Sequence, residues 1–125
     1  MEKREKALNL LGLAYRARKL INGDEVVTDN LQKGKCKMVI VASDASNRTI
    51  DKFQKKCFFY GTELNLEFTT EEISKALGKG LVKVVALLDE GFSNAFKENL
   101  RWGELDESKR YIRSLKGKRN WRSSS

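Results

Sequence analysis

The 125-residue chain contains no histidine. This absence removes the most common general base, a frequent zinc ligand and every Ser–His or Cys–His nucleophile pair. The two cysteines, Cys36 and Cys57, are too few for a disulfide framework and favour a reducing, cytoplasmic setting. We expect Cys57 to pack in the core on one helix stripe and Cys36 to be partly buried.

Long hydrophobic runs are also missing, because stretches such as 84–88 fall far short of the ~20 residues that a membrane-spanning helix needs. The first residues mix charges and predict no export signal. Neither a Gly-x-Gly-x-x-Gly after a strand nor a Gly-x-x-x-x-Gly-Lys-Ser/Thr phosphate loop occurs. We therefore predict no catalytic residue, no metal site, no cofactor, no small-molecule substrate and no membrane contact, and an enzyme is the least favoured alternative.

Positive charge is concentrated toward the end of the chain. The chain has 25 Lys+Arg against 17 Asp+Glu, and residues 101–125 hold eight basic and three acidic residues. Such a tail attracts polyanions such as RNA through counterion release, without reading sequence. We predict one domain over residues 1–101, a monomer by default, and a basic tail over residues 102–125 that is partly helical or disordered.

Hydrophobic periodicity predicts five helices and three strands that largely alternate along the chain. The predicted helices span residues 4–19, 25–33, 47–60, 70–77 and 90–101, and the predicted strands span residues 38–42, 64–68 and 82–88. The strand over 64–68 alternates in polarity and is expected to be half-exposed, whereas the other two are expected to be covered on both faces. This order predicts an α/β protein with a three-layer α-β-α sandwich around a small central sheet.

Cap and turn residues set several of these boundaries. Asp24 and Asp89 are predicted to cap the helices that follow them, and Thr69 with Glu72 forms a capping box. Asn22-Gly23 is expected to be a turn, and Gly78 is expected to stop the fourth helix. The basic residues at the predicted end of the first helix are either a solvated helix end or an edge that faces RNA.

Four segments, in order along the chain, resemble one known family. They are LLGLAYRARKLING over 10–23, MVIVASDA over 38–45, EISKALG over 72–78 and DEGF over 89–92. Together they are similar to the bacterial, YlxQ-type branch of the kink-turn RNA-binding ribosomal proteins, the L-seven-Ae and L-thirty-e group. The resemblance covers about residues 5–100 and implies an α-β-α sandwich with a mixed four-stranded sheet. It also implies a non-enzymatic protein that binds structured, kink-turn-like RNA, with ribosomal RNA or the ribosome as the partner.

The resemblance further implies where RNA is bound. In the family, the start of the second helix enters the groove at a kinked internal loop, and the loop after the short fourth helix braces a flipped-out nucleotide. We expect these segments and the nearby cations to lie on one edge of the sandwich. The residues predicted to bind RNA are Arg18, Lys19, Gly23, Asp24, Glu25, Thr28, Asp29, Lys33, Ser46, Lys79, Gly80 and Leu81.

The second helix departs from the family pattern at three positions. Glu25, Val26 and Asp29 stand where the family has Asn, Glu and Lys. A carboxylate at Glu25 can accept hydrogen bonds from a guanine edge, whereas Asp29 beside phosphates is unfavourable. These departures leave open an alternative, a protein-interaction module of the same fold that has lost specific kink-turn binding.

Overall fold

The structure, a computed structural model, describes residues 2–101, in which helices and strands alternate without exception. The elements are α1 (Lys3–Arg16), β1 (Leu20–Asn22), α2 (Asp24–Gln32), β2 (Met38–Val41), α3 (Asn47–Tyr60), β3 (Glu63–Asn65), α4 (Thr70–Leu77), β4 (Val84–Leu87) and α5 (Glu90–Arg101). The predicted basic tail over residues 102–125 lies outside the described residues, so its helical or disordered character stays a prediction.

A mixed four-stranded sheet in the order β1-β4-β2-β3 forms the centre of the fold. Strand β4 runs antiparallel to both β1 and β2, and β2 runs parallel to β3. All residues of β2 and β4 are buried, because α1 with α4 and α5, and α2 with α3, cover the sheet. The predicted three-layer sandwich and its mixed four-stranded sheet are confirmed.

Apolar side chains from the helices and the sheet fill one continuous core. Phe53 of α3, Phe96 of α5 and Phe68, which lies shortly before α4, are fully buried. The Phe68 and Phe96 ring centroids lie 6.0 Å apart. Burial of each such ring contributes about 1.5–3 kcal/mol, so these three side chains are a main source of the stability of the fold.

Both cysteines are buried free thiols. Cys57 packs in the core as predicted, and Cys36, at 8% exposed, is more buried than the partly buried site that the sequence suggested. Burial raises the pKa of Cys57 to about 12 and that of Cys36 to about 11. Both thiols therefore stay protonated near neutral pH and act as small apolar side chains.

The predicted end of the first helix, at residue 19, and the predicted turn at Asn22-Gly23 were wrong. Helix α1 ends at Arg16, Arg18 takes a positive φ of 62°, and Leu20 begins the short strand β1. Asn22, predicted as part of a turn, is the last residue of β1, and Gly23 rather than Asp24 is the N-cap of α2. A strand of three residues has no periodicity of its own, and only its pairing with β4 defines it.

The strand predicted over residues 64–68 is shifted in the structure, and its predicted half-exposure was wrong. Strand β3 covers Glu63–Asn65, and all three residues are buried. The charge of Glu63 is compensated because Lys97 of α5 lies 2.8 Å from its Oε1 atom. Asn65 Oδ1 accepts a hydrogen bond of 2.9 Å from the Glu67 amide. The ion pair with α5 and this local hydrogen bond allow polar residues to occupy positions that the alternation assigned to solvent. Strand β4 is likewise shorter than predicted, whereas α3, α4 and α5 have the predicted bounds.

Helices α1 and α4 pack so closely that one position accepts only glycine. A Cβ atom on Gly12 would lie 2.6 Å from the backbone oxygen of Ala76. We expect Gly12→Ala to destabilise the fold. Overpacking costs about 1–3 kcal/mol, whereas the higher helix propensity of alanine offsets up to about 1 kcal/mol of this cost. Urea unfolding measures the change in the free energy of unfolding. Gly80→Ala is the control, since a Cβ atom at Gly80 meets nothing within 4 Å. Equal destabilisation by both variants would contradict the close contact.

Candidate functional site

The candidate site lies at one end of the sheet, where β1, β2 and β3 finish and β4 starts. Asn22 pairs with Val85, and Val41 pairs with Val84, so the last residues of β1 and β2 flank the first residues of β4. Four connections therefore meet there: the start of α2, the loop between β2 and α3, the loop between β3 and α4, and the loop between α4 and β4. We call this surface, formed by residues 23–26, 43–52 and 79–83, the near end.

Helix α2 begins directly from β1 at the near end. Gly23 has a φ of 105°, a conformation that favours glycine, and its amide donates a 2.9 Å hydrogen bond to the Val84 oxygen. Within residues 2–101, no side chain forms a capping hydrogen bond at the start of α2. Its first turn thus offers backbone donors and the positive end of the helix dipole to a ligand.

Helix α3 brings cations beside the start of α2. The Lys52 ammonium forms an ion pair with Asp24, and Arg48, one turn earlier on α3, is exposed. The predicted site residue Ser46 is the N-cap of α3, and its Oγ atom accepts a 3.1 Å hydrogen bond from the Thr49 amide. Asp24 is thus a paired charge, while the Ser46 hydroxyl has a structural partner.

The loop between α4 and β4 supplies an apolar contact at the near end. Gly78 ends α4 in the predicted left-handed conformation, with φ at 71°. The Ser74 hydroxyl accepts from the Val82 amide at 2.8 Å, which holds the loop against α4. Leu81 is 83% exposed, the largest exposure among the big hydrophobic side chains of the described residues. Around Gly80 there is open space.

Lysines on this loop differ in where they point. The Lys79 Nζ atom lies 5.7 Å from the centroid of the Tyr15 ring and so faces α1. Lys83 is exposed, and its backbone oxygen accepts a 2.8 Å hydrogen bond from Ala42 at the end of β2. Lys83 therefore sits between the two loops of the near end, whereas the predicted residue Lys79 is turned toward the helix layer.

Asp44 ties the loop after β2 to the start of α4. Its Oδ1 atom accepts hydrogen bonds from the Thr70 hydroxyl at 2.7 Å and from the Thr70 amide at 2.9 Å. These hydrogen bonds lower the pKa of Asp44, and the charge of Lys83 contributes to the same shift. The ionised carboxylate is thus the form that holds the near end together.

The expectation that all predicted cations lie on one edge was wrong. The Lys19 oxygen accepts from the Leu88 amide, which follows the last residue of β4, and Arg18 precedes Lys19. Strand β4 separates this position from Gly23 by about 13 Å. Lys33 is the C-cap of α2, also about 13 Å from the start of that helix. Arg18, Lys19 and Lys33 lie at the opposite end of the sheet, which we call the far end (residues 18–19, 33–37 and 59–62).

The two remaining predicted residues lie along α2 between the ends. Asp29 is exposed and forms an ion pair of 3.0 Å with Lys33. Thr28 is half-buried, and its Oγ1 atom is buried without a hydrogen-bond partner in the described part of the chain. The near end therefore collects Gly23, Asp24, Glu25, Ser46, Gly80 and Leu81 from the predicted set.

Sequence reasoning missed three near-end cations, which are Arg48, Lys52 and Lys83. Arg48 and Lys52 are four residues apart on α3, a spacing that places both on one helix face. That signal was available, but only the fold shows that the face adjoins α2. Lys83 carried no signal, because a single lysine before a strand is common.

The described residues offer no other obvious chemistry. Between residues 2 and 101, no group of three or more Asp, Glu, Cys or His side chains is arranged to hold a metal ion. In the same range, no helix combines the length and hydrophobicity that crossing a bilayer requires. The near end is a largely polar surface with two exposed apolar side chains, Val26 and Leu81, which suits binding to a shaped partner better than enclosure of a small molecule.

Comparisons with known sequences give consistent matches. The family described as ribosomal protein L7Ae/L30e/S12e/Gadd45 matches residues 5–97. The chain is 41% identical over 95 residues to the RNA-binding protein YlxQ of Enterococcus faecium, covering 76% of this chain and 91% of that protein. It is 35% identical over 85 residues to the RNA-binding protein YlxQ of Bacillus subtilis (strain 168), covering 68% and 85%.

Comparisons with solved structures agree with the fold. A protein of unknown function from Bacillus halodurans C has a TM-score of 0.74 and 35% identity, covering 77% of this chain and 97% of that one. The 15.5 kDa RNA-binding protein of Giardia lamblia has a TM-score of 0.68 and 17% identity, covering 79% and 85%. The second similarity is one of fold alone.

The Asp44 interaction predicts how acid affects the near end. The pKa of Asp44 is lower in the folded chain than in the unfolded chain. Its contribution to stability is therefore complete above the unfolded pKa of about 3.9 and is lost as the pH falls through the folded pKa. We expect Asp44→Ala to lower the melting temperature at pH 7 and to have a smaller effect at pH ~3, where part of this contribution is lost. An equal effect at both pH values would show that the carboxylate charge is not involved.

Proposed function

Because the chain belongs to the ribosomal protein L7Ae/L30e/S12e/Gadd45 family, we propose that it binds structured RNA and seats a kink-turn-like internal loop at the near end. The observation that carries this proposal is the convergence of three elements on one surface: the uncapped first turn of α2, the exposed Leu81, and the cations of α3 and the α4–β4 loop. Its relatives named as RNA-binding proteins support the same function.

Each element meets a different part of a bent RNA. The amides of the first turn of α2 and the cations Arg48 and Lys83 suit phosphates, which position an RNA without reading its sequence. The carboxylate of Glu25 is exposed and can accept from a guanine amino or imino group. Leu81 offers an apolar surface against which an unstacked base can pack. This combination selects shape rather than sequence.

The acidic residues of α2 are compatible with this proposal because two of their charges are compensated. Asp24 is paired with Lys52, and Asp29 is paired with Lys33. Pairing reduces the repulsion that either carboxylate would exert on nearby phosphates. Glu25, the third acidic residue of α2, is exposed and is the one proposed for base recognition.

The proposal extends to the cellular setting. Two buried free thiols fit a reducing, cytoplasmic environment. Ribosomal RNA is the partner class that the family suggests, with the ribosome as the assembly. Catalysis is not part of the proposal, since its relatives are named for RNA binding and not for a reaction.

Binding to a kink-turn RNA and to a straight duplex of the same length tests the proposal. We expect the kink-turn to bind about tenfold more tightly or better at moderate salt. Leu81→Ala should weaken kink-turn binding by about tenfold or more, since it removes three carbon atoms that contribute up to about 0.8 kcal/mol each when buried, and should leave duplex binding unchanged. Leu13→Ala, at a half-exposed leucine of α1, is the matched control and should have no effect.

A gel shift measures both affinities with the full chain. Equal affinity for the two RNAs would show that the chain does not recognise the kink-turn and that binding is only electrostatic. The protein-interaction alternative is favoured by the acidic first turn of α2, Asp24 and Glu25. Purification of a stable, RNA-free complex that Leu81→Ala disrupts would support that alternative instead.

A further inference from the structure

The far end carries two exposed aromatic rings at the C-terminus of α3. Phe59 is 72% exposed and Tyr60 is 38% exposed, and their ring centroids lie 4.8 Å apart in an edge-to-face arrangement. The buried side of α3 is formed by Phe53 and Cys57, so the fold does not need Phe59 for its core. An aromatic side chain left in water at this extent is typical of a binding surface.

A lysine-rich loop lies next to these rings. Lys33, Lys35 and Lys37, between α2 and β2, are all exposed. Lys37 and Tyr60 line the same open cavity of about 340 Å³, which places the loop and the aromatic pair side by side. Among the described residues, neither Lys35 nor Lys37 forms an ion pair, whereas Lys33 pairs with Asp29.

The neighbouring strand adds two more cations to this end. The Lys37 amide donates to the Leu87 oxygen at 2.7 Å, and the Leu88 amide donates to the Lys19 oxygen at 2.8 Å. Lys19 and the exposed Arg18 therefore adjoin the same end of β4 as the lysine loop. The carboxylate of Glu63, also at this end, is paired with Lys97. Glu90 lines the same cavity, but the exposed Arg18, Lys19, Lys35 and Lys37 leave an excess of positive charge.

We propose that the far end is a second RNA-binding surface, which takes a single-stranded segment with a base stacked on Phe59 and Tyr60 and its phosphates against Lys35 and Lys37. Base stacking on aromatic side chains combined with a cationic track is the general mode of binding to single strands, because every base has a π-face. The excess of lysines favours a polyanion over an apolar protein segment. This surface is separate from the near end and does not require a kink-turn.

Binding of a short labelled oligouridine of about 12 nucleotides, measured by fluorescence anisotropy with the full chain, tests the proposal. We expect Phe59→Ala to weaken binding about fivefold or more and Phe59→Tyr, which keeps the ring, to bind like the wild type. Because Phe59 is exposed, neither substitution should change the melting temperature. Lys35→Gln and Lys37→Gln should each reduce the slope of log affinity against log salt by about 0.7.

Two outcomes separate this surface from the near end. Phe59→Ala should leave kink-turn binding unchanged, and Leu81→Ala should leave oligouridine binding unchanged. If Phe59→Ala binds oligouridine as tightly as the wild type, the proposal is overturned, and a protein partner becomes the better explanation for the aromatic pair. If the chain shows no kink-turn preference but Phe59→Ala still weakens oligouridine binding, the near-end function fails and the far-end surface stands.

Discussion

Strand β4 is hydrogen-bonded to β1 on one side and to β2 on the other, and these two antiparallel ladders position both of the proposed binding surfaces. At the near end the ladder continues past β1, where the Gly23 amide donates to Val84. This bond fixes the start of α2 against the loop that precedes β4. A shift of one residue in either ladder would turn buried side chains of β4 to the opposite face, so the register is strongly constrained.

The two ends of the sheet differ in chemistry as well as position. The near end combines an uncapped helix start with one exposed leucine and with carboxylates, of which Asp24 is paired. Such a surface suits the shape of a folded RNA. The far end combines exposed rings with lysines on a loop, which suits an extended strand. Because a short sheet separates them, one RNA with a bent core and a single-stranded flank can reach both.

Local signals in the sequence were sufficient for the helices of the second half of the chain. The capping box at Thr69 and Glu72, the αL glycine Gly78 and the Asp89 cap define α4 and α5 in the structure as predicted. Strand β1 could not be predicted, since three residues become a strand only when β4 is beside them. The buried polar strand β3 depended on a partner from α5, which lies far away in sequence.

The residues of the candidate site could be predicted only in part, because distant elements of the chain meet there. Gly23 and Leu81 meet at one end because of the strand order, whereas the resemblance to a family implied only that their segments share one edge. Arg18 and Lys19 are close to Gly23 in sequence, yet β1 carries them to the other end. Lys52 is far from Asp24 in sequence and pairs with it. Proximity along the chain therefore assigned basic residues to the wrong end of the sheet. Only the sheet topology shows which charged residues lie together.

Photochemical crosslinking of the full chain to a bound kink-turn RNA, followed by mapping of the modified residues, tests the central claim most directly. Recognition at the near end predicts crosslinks within residues 23–26 and 79–83, and their loss when the kinked loop is replaced by paired RNA. Crosslinks confined to the far end or to residues 102–125, with the complex intact, would contradict it.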